Sequence, residues 1–231
     1  MSRLWLRVRA PFAAFRGFQA GVYRASAPVM PPSTAYGLVL NLAGIEMRDP
    51  TPGVTTLIRA DLPALRIAVG IIATPERSTL YQQLHSYPVG ASGKELKEKT
   101  HGAKFWITPV RREVLVDYDG MIGVESDDES LLQRVQQGLR GELATPRYGL
   151  PFAGDNNLLF DRIEPLAEPP PETNWYTRLL PDDAPRKGSC RLTVGIDRAD
   201  NSRTTAPLFA PLTERRLYPP EETGWVWVPR E

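Results

Sequence analysis

The chain opens on a strict alternation of apolar and polar positions. Leu4, Leu6 and Val8 occupy one set of alternate positions over residues 3–9. Because successive side chains of a β-strand point to opposite faces of the sheet, this pattern predicts a strand with one face in a core. The opposite face is predicted to be cationic, with one aromatic side chain. Its residues are Arg3, Trp5, Arg7 and Arg9.

Two later segments carry apolar residues at helical spacing. The first begins at Ser33, which follows two prolines and is predicted as the N-cap, and it ends at Gly44. The second begins at the capping-box sequence of residues 126–129. The predicted buried residues are Ala35, Leu38, Val39 and Leu42 in the first helix and Leu131, Leu132, Val135 and Leu139 in the second.

The remaining patterns predict further strands. Residues 66–73 have the composition of a buried strand, and residues 75–104 form a long irregular stretch. Four more strands are predicted over residues 104–110, 113–118, 121–125 and 158–163, with a turn at Asp119-Gly120. The order of strand, helix, strands, helix and strand predicts an α+β fold of the ferredoxin-like kind, which RNA-recognition modules share.

A change of composition near Pro165 predicts a domain boundary. We expect residues 1–165 to form the ferredoxin-like domain, and residues 166–231, which begin rich in proline, to form a small C-terminal extension. The chain has 231 residues, a length that suits one large domain or two small ones.

Charge is distributed unevenly although the net charge is only +1. Residues 1–45 carry five arginines and no acid, and residues 75–112 carry seven cations against three glutamates. Residues 113–129 carry seven acids and no base. This pattern favours a molecule with a basic face and an acidic face, and the basic face favours a nucleic-acid partner. Solvated charged surfaces remain the alternative.

The counts of cysteine and histidine and the lengths of the apolar runs indicate the cellular compartment and whether a metal site is expected. Cys190 is the only cysteine, so no intrachain disulfide is possible and a reducing compartment is expected. No apolar run approaches the ~20 residues that span a bilayer, and Arg7 and Arg9 interrupt any signal-peptide core. We therefore expect a cytoplasmic protein without membrane attachment. With two histidines and one cysteine, no metal site and no cofactor are predicted.

RNA binding needs hydrogen-bond donors that contact phosphate oxygens and flat surfaces that stack on unpaired bases. Arginines supply paired donors to phosphate, aromatic rings stack bases, and a helix start binds anions. Core burial of the phenylalanines, capping by Ser33 and ordinary solvation of the lysines are the alternatives. The predicted RNA-binding residues are Arg7, Arg9, Phe15, Arg16, Phe18, Gln19, Tyr23, Arg24, Ser33, Thr34, Tyr36, Lys94, Lys97, Lys99, His101 and Lys104.

Several of these motifs together resemble a known family. The opening strand, residues 10–16 (APFAAFR) and residues 31–37 (PPSTAYG) resemble the CRISPR-associated RAMP proteins, and most closely the Cas-five family. Members of that family cap the 5′ end of the guide RNA (crRNA) in Cascade-type effectors. Residues 109–117 are similar to the family's strand after its thumb, and residues 148–157 to its turn before the last strand. The resemblance covers residues 1–165.

The resemblance implies a ferredoxin-like domain with an inserted thumb at residues 75–104. It also implies a non-catalytic subunit that binds the crRNA 5′ handle. Its protein partners would be the Cascade backbone subunit and the large PAM-reading subunit, and target DNA would be reached through the complex. One branch of the family cleaves precursor crRNA without metal, and here Tyr23, Lys99 and His101 would supply the acid–base groups. A ferredoxin-like scaffold that binds only protein is the third alternative.

Overall fold

The computed structural model describes residues 1–17, 23–53, 55–88, 105–184 and 186–229. Within them, two helices pack on one face of a mostly antiparallel sheet, which confirms the α+β prediction. The helices are α1 (Pro32–Leu42) and α2 (Glu129–Arg140), and a 3₁₀ turn covers Asn201–Arg203. The strands are β1 (Ser2–Ala13), β2 (Tyr23–Arg24), β3 (Leu65–Ile71), β4 (Glu76–Pro88), β5 (Phe105–Ser126), β6 (Arg162–Leu166), β7 (Asn174–Arg178), β8 (Cys190–Arg191), β9 (Leu208–Pro211) and β10 (Val226–Val228).

The long strand β5 organises the sheet. Its C-terminal half lies between β1 and β3, and both pairings are antiparallel. Its N-terminal half pairs with β4 on one edge and, in parallel, with the short β2 on the other. The full order is β6-β1-β5-β3-β7-β9-β8, with β10 also on β3. Residues 166–231 therefore add strands to this sheet, because β7 and β10 both pair with β3.

The alternation in β1 separates two buried clusters. Leu4, Leu6 and Val8 lie under the helices in the main core, as predicted. Trp5 packs on the opposite face, at 5.7 Å between ring centroids from Trp175 and from Trp225. A Cβ at position 123 would come within 2.6 Å of Trp5, so the glycine there makes room for the indole cluster. The face predicted to be cationic is thus partly covered by residues 166–231.

Two strand predictions were wrong. Residues 76–88, predicted as irregular, form β4, and residues 89–104 lie outside the described residues. The three short strands predicted between residues 104 and 125 are one strand, β5. No turn occurs at Asp119-Gly120, because Gly120 is paired on both sides, with Val8 of β1 and Ile71 of β3. Pairing on both edges outweighs the local turn preference.

Both helices begin differently from the predictions. The N-cap of α1 is Pro31 and not Ser33, and no side chain caps that helix end. The N-cap of α2 is Asp128, whose carboxylate accepts hydrogen bonds from the amides of Ser130 and Leu131. Ser126 instead accepts from the amide of Asp128.

Candidate nucleic-acid interface

The arginines of β1 are paired with carboxylates. Arg7 donates twice to Asp119, with N–O distances of 2.9 and 2.6 Å, and these hydrogen bonds raise the pKa of the Arg7 guanidinium. Arg9 lies 3.1 Å from Glu164, and Arg3 lies 2.6 Å from Glu125. We call Arg3, Arg7 and Arg9 the β1 arginine face. The charges of this face are therefore matched by carboxylates within the protein, which the sequence pattern did not predict, and RNA binding by Arg7 and Arg9 stays a prediction.

Two aromatic candidates are buried. Phe15 is 1% exposed and packs edge-on against Tyr118, with ring centroids 5.0 Å apart. Tyr36 is 2% exposed; its hydroxyl donates to the carbonyl of Pro63 at 2.8 Å, and burial raises its pKa. Neither ring is accessible for stacking on a base, so the core alternative holds for Phe15.

The start of α1 is also occupied. The amide of Ser33 donates to the carbonyl of Thr193 at 3.1 Å, and the amide of Thr34 bonds to Pro31 within the helix start. An anion at this helix end would have to displace the C-terminal segment. The backbone amides of Ser33 and Thr34 are therefore engaged within the protein, and phosphate binding at these residues stays a prediction.

Several of the predicted site residues lie outside the described residues. Seven of the RNA-binding candidates, including two of the three proposed catalytic groups, belong to this set. They are Phe18, Gln19, Lys94, Lys97, Lys99, His101 and Lys104.

The remaining candidates are Arg16 and the two residues of β2, and a carboxylate of β5 fixes β2 and Ser26 in place. Arg16 is exposed, Tyr23 is 47% exposed and Arg24 is half-buried. Glu113, itself buried, accepts from the hydroxyl of Tyr23 at 2.8 Å and from the amide of Ser26 at 3.3 Å. The bond to this carboxylate raises the pKa of the Tyr23 hydroxyl.

Beside β2, at residues 25–28, lies a groove of about 1070 Å³. One wall is the loop around Ser26, another is the β3–β4 connection, and the third is the turn at residues 186–191. Of the described residues that line it, four carry a positive charge and none carries a carboxylate. We call these four the groove cations. They are Arg77, Arg186, Lys187 and Arg191.

A tight turn presents three of the groove cations. Gly188 has a φ of +82°, a conformation that favours glycine, and Ser189 donates its hydroxyl to the carbonyl of Arg186 at 2.5 Å. This turn carries Arg186 and Lys187, and Arg191 follows it in β8.

Within the part of the chain that the structure describes, two of the four groove cations, Lys187 and Arg191, form no ion pair. Arg186 lies 4.0 Å from Asp183, Arg77 lies 3.2 Å from Glu113, and Arg191 donates to a carbonyl, that of Ala206. Lys187 is exposed. A concave surface lined by cations attracts a polyanion, and a strand of RNA is one.

Sequence reasoning missed the groove cations of residues 186–191. The run Arg-Lys-Gly-Ser-Cys-Arg was a visible signal, with three cations in six residues around a glycine turn. The run lies in residues 166–231, beyond the resemblance, and no motif around it predicts a binding site. Only the fold brings it opposite Ser26 and Arg77.

Metal sites and membrane-spanning helices are two further features that bear on function. No cluster of three His, Cys, Asp or Glu side chains in the described residues is placed to hold a metal ion. None of the helices described is long and apolar enough to cross a membrane.

Comparisons with known proteins agree with one another. The family model of CRISPR-associated protein (Cas_Cas5) matches residues 3–141, more than half of the chain. A solved structure titled "CRISPR RNA-guided surveillance complex" has a TM-score of 0.59 and 14% identity, covering 93% of this chain and 91% of that one. Another, "Crystal structure of Cas protein", has a TM-score of 0.52 and 16% identity, covering 93% and 96%. No curated protein matches the sequence.

Proposed function

Since the chain belongs to the CRISPR-associated Cas5 family, we propose that it is a non-catalytic subunit of a Cascade-type surveillance complex whose groove binds the 5′ handle of crRNA. The groove carries this proposal, because four cations and no carboxylate are found among its described lining residues. Unpaired RNA is bound by such cationic grooves mainly through its backbone. Arg16 and the β2 residues Tyr23 and Arg24 adjoin the groove lining at residues 17 and 25–28 and extend the surface.

The fold supports the finer parts of the proposal. The four strands β6, β1, β5 and β3 are adjacent in that order and antiparallel, with α1 and α2 on one face. This arrangement is in keeping with a ferredoxin-like domain, from which β4 and the start of β5 extend as the base of a thumb. The neighbours in the complex would be the backbone subunit and the large subunit, as the family implies.

The test measures binding of single-stranded handle RNA to the purified chain over a range of salt concentrations. We expect Lys187→Glu/Arg191→Glu to lower the affinity about tenfold or more, because a hydrogen bond to a charged group contributes about 1.5–3 kcal/mol. The slope of log affinity against log salt should fall by about 0.7 for each lost phosphate contact.

The matched control reverses two other arginines of the C-terminal segment. Arg198 and Arg203 are exposed and lie outside the groove lining, so Arg198→Glu/Arg203→Glu makes the same change in net charge. If both double variants weaken binding equally, only the overall charge matters and the groove is not the site. If the wild-type chain does not bind handle RNA, the proposed function is wrong.

A further inference from the structure

A row of three exposed side chains crosses the sheet beside the groove. Arg111 of β5 is paired with Tyr23 of β2 on one edge and with Tyr81 of β4 on the other. Side chains of directly paired residues point to the same face of a sheet. We call these residues the Tyr–Arg–Tyr row. Tyr23 is 47% exposed, Tyr81 is 67% exposed and Arg111 is exposed.

The row and the groove form one continuous surface. Along β4, Arg77 and Tyr81 lie on the same face because side chains alternate, and they are about 13 Å apart at 3.3 Å per residue. The carboxylate of Glu113 joins the two regions, since it accepts from Arg77 at 3.2 Å and from Tyr23 at 2.8 Å. Arg77 is also one of the groove cations. A strand of RNA that leaves the groove past Arg77 therefore meets the row next.

We propose that the Tyr–Arg–Tyr row stacks unpaired bases of the RNA strand whose backbone the groove binds; this inference rests on the proposed function. Two tyrosine rings offer two flat apolar surfaces, and the guanidinium of Arg111 between them stacks on a base or donates to the phosphate that links two bases. The surface selects single-stranded RNA, because a duplex keeps its base faces stacked inside. Every base has such a face, so the row should accept purines and pyrimidines alike.

Tyr81 gives the sharpest test, because it is the most exposed member of the row. The probe is a short, unstructured oligoribonucleotide that carries a fluorescent adenine analogue whose emission is quenched by stacking. Tyr81→Ala should weaken binding about 5- to 150-fold, the range for loss of one stacked base, and should relieve the quenching. Tyr81→Phe should keep both affinity and quenching, because it keeps the ring.

The control is the neighbouring residue. Leu80 is 40% exposed and points to the opposite face of β4, so Leu80→Ala removes apolar surface from the same strand without touching the row. Binding and quenching should be unchanged in Leu80→Ala. A duplex of the same sequence should compete poorly with the single strand.

The outcomes separate this inference from the proposed function. If Tyr81→Ala binds and quenches like the wild type while Lys187→Glu/Arg191→Glu still weakens binding, the row does not stack bases and the groove assignment stands. If Tyr81→Ala instead prevents assembly with partner subunits and leaves RNA binding intact, the row contacts protein and the inference is wrong. If the wild-type chain binds no RNA, both proposals fail.

Discussion

The β1 arginine face and the groove contain the same kind of side chain but differ in what the fold places beside it. Arg3 is paired in register with Glu125, and Arg9 with Asp119, so the arginine-rich start of the chain lies along the acid-rich strand β5. The groove cations are gathered from distant parts of the chain, and the lining described there contains no carboxylate. Only Arg77 and Arg186 reach a carboxylate outside that lining, Glu113 and Asp183 respectively, and Lys187 and Arg191 form no ion pair within the described residues. A cationic segment therefore marks a binding surface only if its acidic counterpart does not become its neighbour.

The largest effect should come from removing a carboxylate under the β1 arginine face. Glu125 is 2% exposed and lies 2.6 Å from both Arg3 and Arg66. Glu125→Gln leaves two arginines facing a neutral amide, and we expect the free energy of unfolding to fall by about 3 kcal/mol, the low end for a broken buried pair, since both arginines keep some solvent contact. Urea denaturation measures this loss.

The affinity of the same variant for handle RNA shows whether the β1 arginine face is structural or binds RNA as the groove is proposed to do. If the β1 arginine face is structural, folded Glu125→Gln should bind handle RNA with wild-type affinity. Tighter binding after release of Arg3 and Arg66 would show that this face competes for RNA, and a purely structural role for it would then be wrong.

A matched pair of substitutions sets the two regions against each other directly. Arg7→Gln and Arg77→Gln each remove one arginine that forms an ion pair. The partner is Asp119 for Arg7 and Glu113 for Arg77. Both should lower the free energy of unfolding by about 1–2 kcal/mol. Only Arg77→Gln should weaken handle RNA binding, by about tenfold. Equal effects of the two variants on RNA affinity would contradict the distinction.

A smaller effect is expected at Cys190, the only cysteine of the chain, which lines the groove. Burial raises the pKa of this thiol to about 11, so it is protonated at neutral pH and its alkylation should become faster as the pH rises toward that value. Bound handle RNA should slow alkylation further by covering the groove. Mass spectrometry of the labelled chain measures the rate, and unchanged labelling in the presence of RNA would argue that the strand lies elsewhere.

The elements with strong local patterns could be predicted from the sequence. The alternation of β1 gave its buried face, and the apolar spacing around Leu131 and Val135 gave the buried face of α2. Strand β4 was missed because it pairs with β5 in the region that extends from the core, where no buried face imposes an alternating pattern; Leu80 and Tyr81 are both exposed there.

The site was harder to predict than the fold. The sequence shows which segments carry cations, but pairing across strands decides which cations remain available, and Asp119 follows Arg7 by 112 residues. Phe15 and Tyr36 have aromatic rings suited to stacking, yet both side chains are buried in the core. The groove depends on a turn at Gly188 coming to lie opposite Ser26, a contact between distant parts of the chain that no local pattern reports.

The central question is whether handle RNA binds in the groove or on the β1 arginine face. Photo-crosslinking of handle RNA to the full chain, followed by identification of the crosslinked peptides, locates the strand. We expect crosslinks in the peptides that contain residues 74–81 and 186–191, and their loss in Lys187→Glu/Arg191→Glu. Crosslinks concentrated in the peptide of residues 3–9, and retained in that variant, would contradict the assignment of the groove.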